Sequence, residues 1–118
     1  MHRVLIVDDN EAIRESLADA LSNEGYQVDS AADGASALRS VDRCAPSVIL
    51  LDLSMPDLDG PSVARRLSEV GCRSAVIVLS ADRGVADIAQ KMGAAGFLPK
   101  PFDLHALVSM IERVAGTP

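Results

Sequence analysis

The acidic residues with the clearest chemical meaning in this 118-residue chain stand immediately after apolar runs. Asp8 and Asp9 follow Val4–Val7, and Asp52 follows Val48–Leu51. A third run, Val76–Leu79, ends at Ser80, and Gly96–Leu98 leads through Pro99 to Lys100. If these runs are neighbouring strands, three carboxylates, a hydroxyl and an ammonium reach one rim from segments far apart in sequence. Anions held so close repel one another and raise each other's pKa unless they share a cation. All-oxygen ligation suits a hard ion such as Mg²⁺, which keeps several waters and uses few protein carboxylates. Lys100 offers a point charge to a phosphate oxygen and Ser80 offers a hydrogen bond to another. A carboxylate nucleophile, a metal and two donors are the parts of a phosphoryl-transfer site whose product is an aspartyl phosphate. Singly, each residue has an ordinary use: Asp as a helix cap, Ser in a turn, Lys as a solvated charge. The reading rests on all five falling at the carboxyl ends of strands.

The elements that must position them follow from the hydrophobic pattern. The runs Val4–Val7, Val48–Leu51 and Val76–Leu79 are short, continuous and β-branched, as expected for strands buried on both faces of a parallel sheet. Between them Ile13, Leu17, Ala20 and Leu21 have helical spacing, as do Val63, Leu67 and Val70. Tyr26–Ala31 is more polar and alternating, which fits an edge strand. Ala35–Val41 reads as a helix capped by Asp33, Ala86–Met92 as a helix stopped by Gly93, and Gly96–Leu98 as a brief fifth strand. Leu104–Val114, capped by Asp103, is a final helix with Leu104, Leu107, Val108 and Ile111 on one face. Strands alternating with helices in this way give an α/β, (βα)5 doubly wound domain. Its five-stranded parallel sheet should run 2-1-3-4-5, the flavodoxin-like order, which puts the apolar strands inside and the polar second strand at an edge. Ligands then bind beyond the carboxyl ends of strands 1 and 3, where the acids lie.

With 48% hydrophobic residues the chain is long enough for one core, so residues 1–118 are expected to form one domain, with 115–118 as a tail or the start of a linker. The net charge of −6, from 11 basic and 17 acidic residues with no Lys/Arg cluster, argues against direct nucleic-acid binding. Cys44 and Cys72 are the only cysteines, and they suggest neither a zinc site nor a disulfide framework. The opening Met-His-Arg leads into an apolar run far too short for a signal core or a membrane span, so a soluble, cytoplasmic protein is expected.

The segments Val4-Leu-Ile-Val-Asp-Asp-Asn10, Leu51-Asp-Leu-Ser-Met-Pro-Asp-Leu-Asp-Gly60, Leu79-Ser-Ala81 and Gly96-Phe-Leu-Pro-Lys-Pro-Phe102 resemble the receiver domain of two-component response regulators, over essentially the whole chain. The resemblance implies that Asp52 is the phosphoacceptor, charged by a histidine kinase or a histidine phosphotransfer protein. It implies Asp9 and Asp52 as direct ligands of Mg²⁺ (or Mn²⁺), Asp8 as a ligand through water, and Ser54 as the donor of a backbone carbonyl. Lys100 and the Ser80 hydroxyl would hold phosphoryl oxygens beside the Ala81 amide, and small Ala81 would leave the group accessible. Met55-Pro56 and Gly60 would shape the loop after the acceptor, and Lys100-Pro101 would be a cis peptide aiming the ammonium inward.

Switching in the family couples Ser80 to an aromatic residue of strand 5, here Phe97, and raises the population of an active surface formed by the helix at 86–92, strand 5 and the last helix. Phe97 carries no hydroxyl, and its alternative is a plain core aromatic. Asp82 and Ser54 would flank the path of attacking water. The implied role is a signalling switch that catalyses only its own phosphorylation and dephosphorylation, and that acts on an output domain or effector protein. A phosphorylation-dependent homodimer is left open. The alternatives are a degenerate receiver that binds partners without phosphorylation, against which the intact acceptor set argues, and a haloacid-dehalogenase-type phosphatase. The phosphatase needs a second Asp where Ser54 stands, and the chain lacks room for a substrate cap. A flavodoxin is disfavoured by acids where a phosphate needs an amide-rich loop.

Overall fold

The computed structural model describes residues 2–44, 46–53, 62, 65–66 and 74–115. The elements run β1 (Arg3–Val7), α1 (Glu11–Asn23), β2 (Gln27–Ala31), α2 (Gly34–Cys44), β3 (Val48–Asp52), β4 (Ala75–Ser80), α3 (Val85–Met92), β5 (Gly96–Pro99) and α4 (Leu104–Ala115). The helix expected through Val63, Leu67 and Val70 falls outside the described residues, although Ser62, Arg65 and Arg66 are helical. All strand pairs are parallel and the order is β2-β1-β3-β4-β5, as the apolar and polar runs required. No helix among the described residues is long and apolar enough to cross a membrane.

The two-residue period of a strand sorts each apolar run between two layers. Val4 and Ile6 of β1, Val48 and Leu50 of β3 and Ile77 and Leu79 of β4 pack with Leu21 of α1 and Leu107 and Ile111 of α4. Their neighbours Leu5, Val7, Ile49 and Leu51 face the other way, against Ala37 and Val41 of α2, while Val78 meets Val85 and Ala89 of α3. Every residue of β3 is buried, so the strand ending in Asp52 is the most enclosed of the sheet. Gly93 closes α3 at φ 71°, a left-handed conformation that costs glycine nothing, and the Ala94 amide donates back to the Ala89 carbonyl.

Two expectations need correction, on Ile13 and Tyr26, and the alternative reading of Phe97 falls as well. Ile13, first in the helical stripe of α1, is exposed at 39%, because the packed face runs through Leu17, Ala18 and Leu21. Phe97 is not a core aromatic: the strand alternation turns Leu98 inward and leaves the ring 36% exposed. Tyr26 precedes β2 rather than opening it, and its buried hydroxyl donates to the Glu112 carboxylate of α4. Burial first, then that negative partner, pushes the phenol's pKa up.

Leu107 is fully buried between α4 and the sheet. Leu107→Ala is expected to lower stability by about 2–5 kcal/mol, read as a fall in the urea midpoint with an unchanged slope.

Candidate functional site

The rim above β1 and β3 is built by backbone as much as by side chains. The Asp8 amide continues the β1–β2 ladder one step further by donating to the Ala31 carbonyl at 3.1 Å. The Asp8 side chain, 2% exposed, accepts from the Asn10 amide at 2.9 Å. Asn10 then caps α1 by accepting from the Ile13 amide at 3.1 Å. Arg14, one turn into α1, donates to the Asp8 carbonyl at 2.7 Å. Strand end, turn and helix start are thereby locked together, with Asp8 turned inward and Asp9 exposed beside it.

Asp52 closes β3 at 2% exposure, in register with Leu79. The Lys100 ammonium lies 3.1 Å from its Oδ1. Lys100 is itself placed by its amide, which donates to the Ser80 carbonyl at 2.8 Å, and its bond to Pro101 is cis. The Ser80 hydroxyl, almost buried, accepts from the Asp82 amide at 3.0 Å and keeps its own proton to donate. Ala81 and Asp82 are exposed just beyond. The Asp82 carboxylate accepts from the Gly84 amide at 2.7 Å and so shapes the entry to α3.

Asp8, Asp9 and Asp52 bring one carboxylate oxygen each to within 4.8 Å of one another. Burial, above all, holds the Asp8 carboxyl above the usual carboxylate range. Its negative neighbour Asp52 adds to that effect, and the Asn10 amide and the Lys100 charge oppose it. The set fits a hard divalent cation. Mg²⁺ is held by few protein carboxylates and keeps several waters, which a cluster of three carboxylates on an open rim allows.

The structure thus brings Asp8, Asp9, Asp52, Ser80 and Lys100 to one rim. Phe97 lies apart, on an open groove of about 520 Å³ between α3 and α4 that also touches Ala89, Met110 and Arg113. Ser54, Met55, Pro56 and Gly60 fall outside the described residues. Sequence reasoning missed the parts played by Asn10 and Arg14 and the bond that Asp82 accepts from the Gly84 amide. An Asn before a helical stripe was a readable signal, whereas a guanidinium reaching a strand-end carbonyl leaves no local pattern.

Fold and rim together define a doubly wound α/β domain with an acidic, lysine-tied pocket at its topological switch point. The family model for the response regulator receiver domain matches residues 4–112, and the chain belongs to that family. Response regulator MprA of Mycobacterium leprae is 43% identical over 114 residues, which cover 95% of this chain and 50% of MprA. The chain therefore spans about half the length of the curated relatives it matches. Among solved structures, the signal receiver domain of a response regulator from Bermanella marisrubri superposes with a TM-score of 0.90 at 34% identity, covering 97% of this chain and 98% of that one. TrrA of Thermotoga maritima, solved in complex with Mg²⁺-BeF, gives 0.85 at 29% identity, covering 97% and 99%.

A carboxyl whose folded pKa is raised binds its proton more tightly in the folded protein than in the unfolded chain. Stability therefore falls as pH rises from 3.8 through the raised Asp8 value. Metal-free Asp8→Asn protein should have a higher urea midpoint than wild type at pH 7, with the gap closing towards pH 3. Asp9→Ala is expected to weaken Mg²⁺ binding at least tenfold (~1.4 kcal/mol) by isothermal titration calorimetry, since it removes one carboxylate from a site of few ligands.

Proposed function

We propose that this receiver domain is a phosphoacceptor switch in which Asp52 takes a phosphoryl group from a phosphohistidine on a histidine kinase or a histidine phosphotransfer protein. The observation that carries the reading is the juxtaposition of a nearly buried Asp52 with the Lys100 ammonium and two further carboxylates at the switch point of the sheet. Membership of the receiver family and the likeness to a protein solved with Mg²⁺ and a phosphoryl mimic support it.

Asp9 and Asp52 would hold Mg²⁺ (or Mn²⁺) directly, Asp8 through water, and Ser54 by its carbonyl. When bound, the ion neutralises charge on the incoming phosphoryl oxygens and on the acceptor. The chain's own groups do the rest. An Asp52 oxygen attacks phosphorus and forms the P–O bond while the donor's P–N bond breaks. Lys100, already within 3.1 Å of that carboxylate, moves its charge onto a phosphoryl oxygen, and the Ser80 hydroxyl and Ala81 amide donate to others. Asp82, exposed at the rim, would flank the approach of the water that later hydrolyses the acyl phosphate, a role the family resemblance also gives to Ser54. The domain acts on no substrate but its own phosphoryl group.

Ser80 turning to the phosphoryl group gives up its bond from the Asp82 amide, and Phe97 moves inward on the α3–β5–α4 face. That face then engages an output domain or effector protein in the cytoplasm. Residues 1–118 serve as the receiver unit, and the acidic balance of the chain leaves direct nucleic-acid contact to other parts.

With acetyl phosphate and Mg²⁺, wild-type protein should gain one phosphoryl group, read as a mass increase by intact mass spectrometry. Asp52→Asn should gain none, and Lys100→Ala should react at least tenfold more slowly. Full incorporation in Asp52→Asn would remove the acceptor assignment.

A further inference from the structure

Far from the acceptor rim, the last helix lays a thioether against the edge strand β5. Gly96 of β5 and Met110 of α4 approach so closely that a Cβ on Gly96 would come within 2.7 Å of the Met110 sulfur. The half-buried Met110 side chain also lines the open groove of about 520 Å³ that holds Phe97. There the Arg113 guanidinium, one turn further along α4, donates to the same sulfur at 3.1 Å. A thioether is a weak acceptor for so strong a donor. The sulfur therefore has a closed side towards β5 and an open side that already carries a cation.

We propose that Met110 is an oxidation site, at which a hydroperoxide converts the thioether to one sulfoxide epimer whose oxygen is held by Arg113. The step balances. A sulfur lone pair attacks one peroxide oxygen, the S–O bond forms as the O–O bond breaks, and sulfur gives up the two electrons that reduce the peroxide. The proton left on the transferred oxygen passes to the departing hydroxide, which leaves as water. Space decides the direction of attack: against Gly96 there is no room for an added atom, so the oxygen arrives from the groove. Charge favours the product, because a sulfoxide oxygen accepts from a guanidinium far better than a thioether does. A flexible apolar side chain thereby becomes a polar, chiral one beside Phe97 in the same groove, and the α3–β5–α4 face presents a different surface to a partner. The site does not depend on the acceptor role of Asp52.

The test treats the protein with dilute hydrogen peroxide and follows each methionine by peptide mass spectrometry. Met110 is expected to oxidise about fivefold faster than Met92, which packs against two core clusters. Purified methionine sulfoxide reductases, each specific for one epimer, should differ about tenfold in the Met110 thioether they restore once the oxidised protein is unfolded. Met110→Leu, a swap of similar volume, keeps the fold and removes the site. In wild type, oxidation should move the Gly96 and Phe97 amide resonances and the Arg113 Nε proton, and the same treatment of Met110→Leu should leave them in place. Equal rates at Met110 and Met92, or equal amounts of the two epimers, overturn the proposal. So do unmoved resonances after Met110 is oxidised, or the same shifts in Met110→Leu.

Discussion

Three carboxylates within 4.8 Å of one another, two of them almost fully buried, are an electrostatic load that the rest of the fold must carry. Repulsion at such range is strong wherever water is displaced, and the part due to Asp52 acts on the folded state alone, because the unfolded chain separates Asp52 from Asp8 and Asp9. The Asp8 pKa is raised first by burial and then by its neighbour Asp52. Lys100 supplies one compensating charge at 3.1 Å and leaves the pocket net negative, a charge that a bound divalent cation would offset.

The load is borne because each charged group hangs from a strand end that packing has already fixed. β1 and β3 are neighbours with every intervening apolar residue buried, so Asp8 and Asp52 meet without any flexible loop having to deliver them. Lys100 arrives by a similar route: its amide extends the β4–β5 pairing onto the Ser80 carbonyl, so the residue that offers the hydroxyl also anchors the one that offers the ammonium. On the other flank, Asn10 and Arg14 tie the Asp8 turn to the first turns of α1. A site on rigid elements with its supporting bonds made in advance loses little when it meets its ligand.

Strand order and the convergence of the five polar residues were legible because both follow from where apolar runs stop. Continuous runs mark strands buried on two faces, and the carboxyl ends of such strands form one rim whatever the helices do. Side-chain facing was less legible. Ile13 continues the helical stripe of α1 yet lies exposed, since spacing gives a direction around the helix and not the depth of what it meets. Phe97 on a strand of only four residues had no alternation long enough to decide its face. The Arg14 and Glu112 contacts join side chains to groups from other turns or elements, and no local pattern announces them.

What emerges is a receiver domain whose chemistry is a matter of charge placement rather than of unusual residues. The stability of the folded chain is the quantity that reports on it without any kinase or partner. Urea midpoints measured against Mg²⁺ concentration, at constant ionic strength and pH 7, should rise continuously with the logarithm of added ion, as for one site that exists only when the three carboxylates are assembled. A midpoint indifferent to Mg²⁺, or raised equally by sodium at the same ionic strength, would mean that the clustered acids need no shared cation.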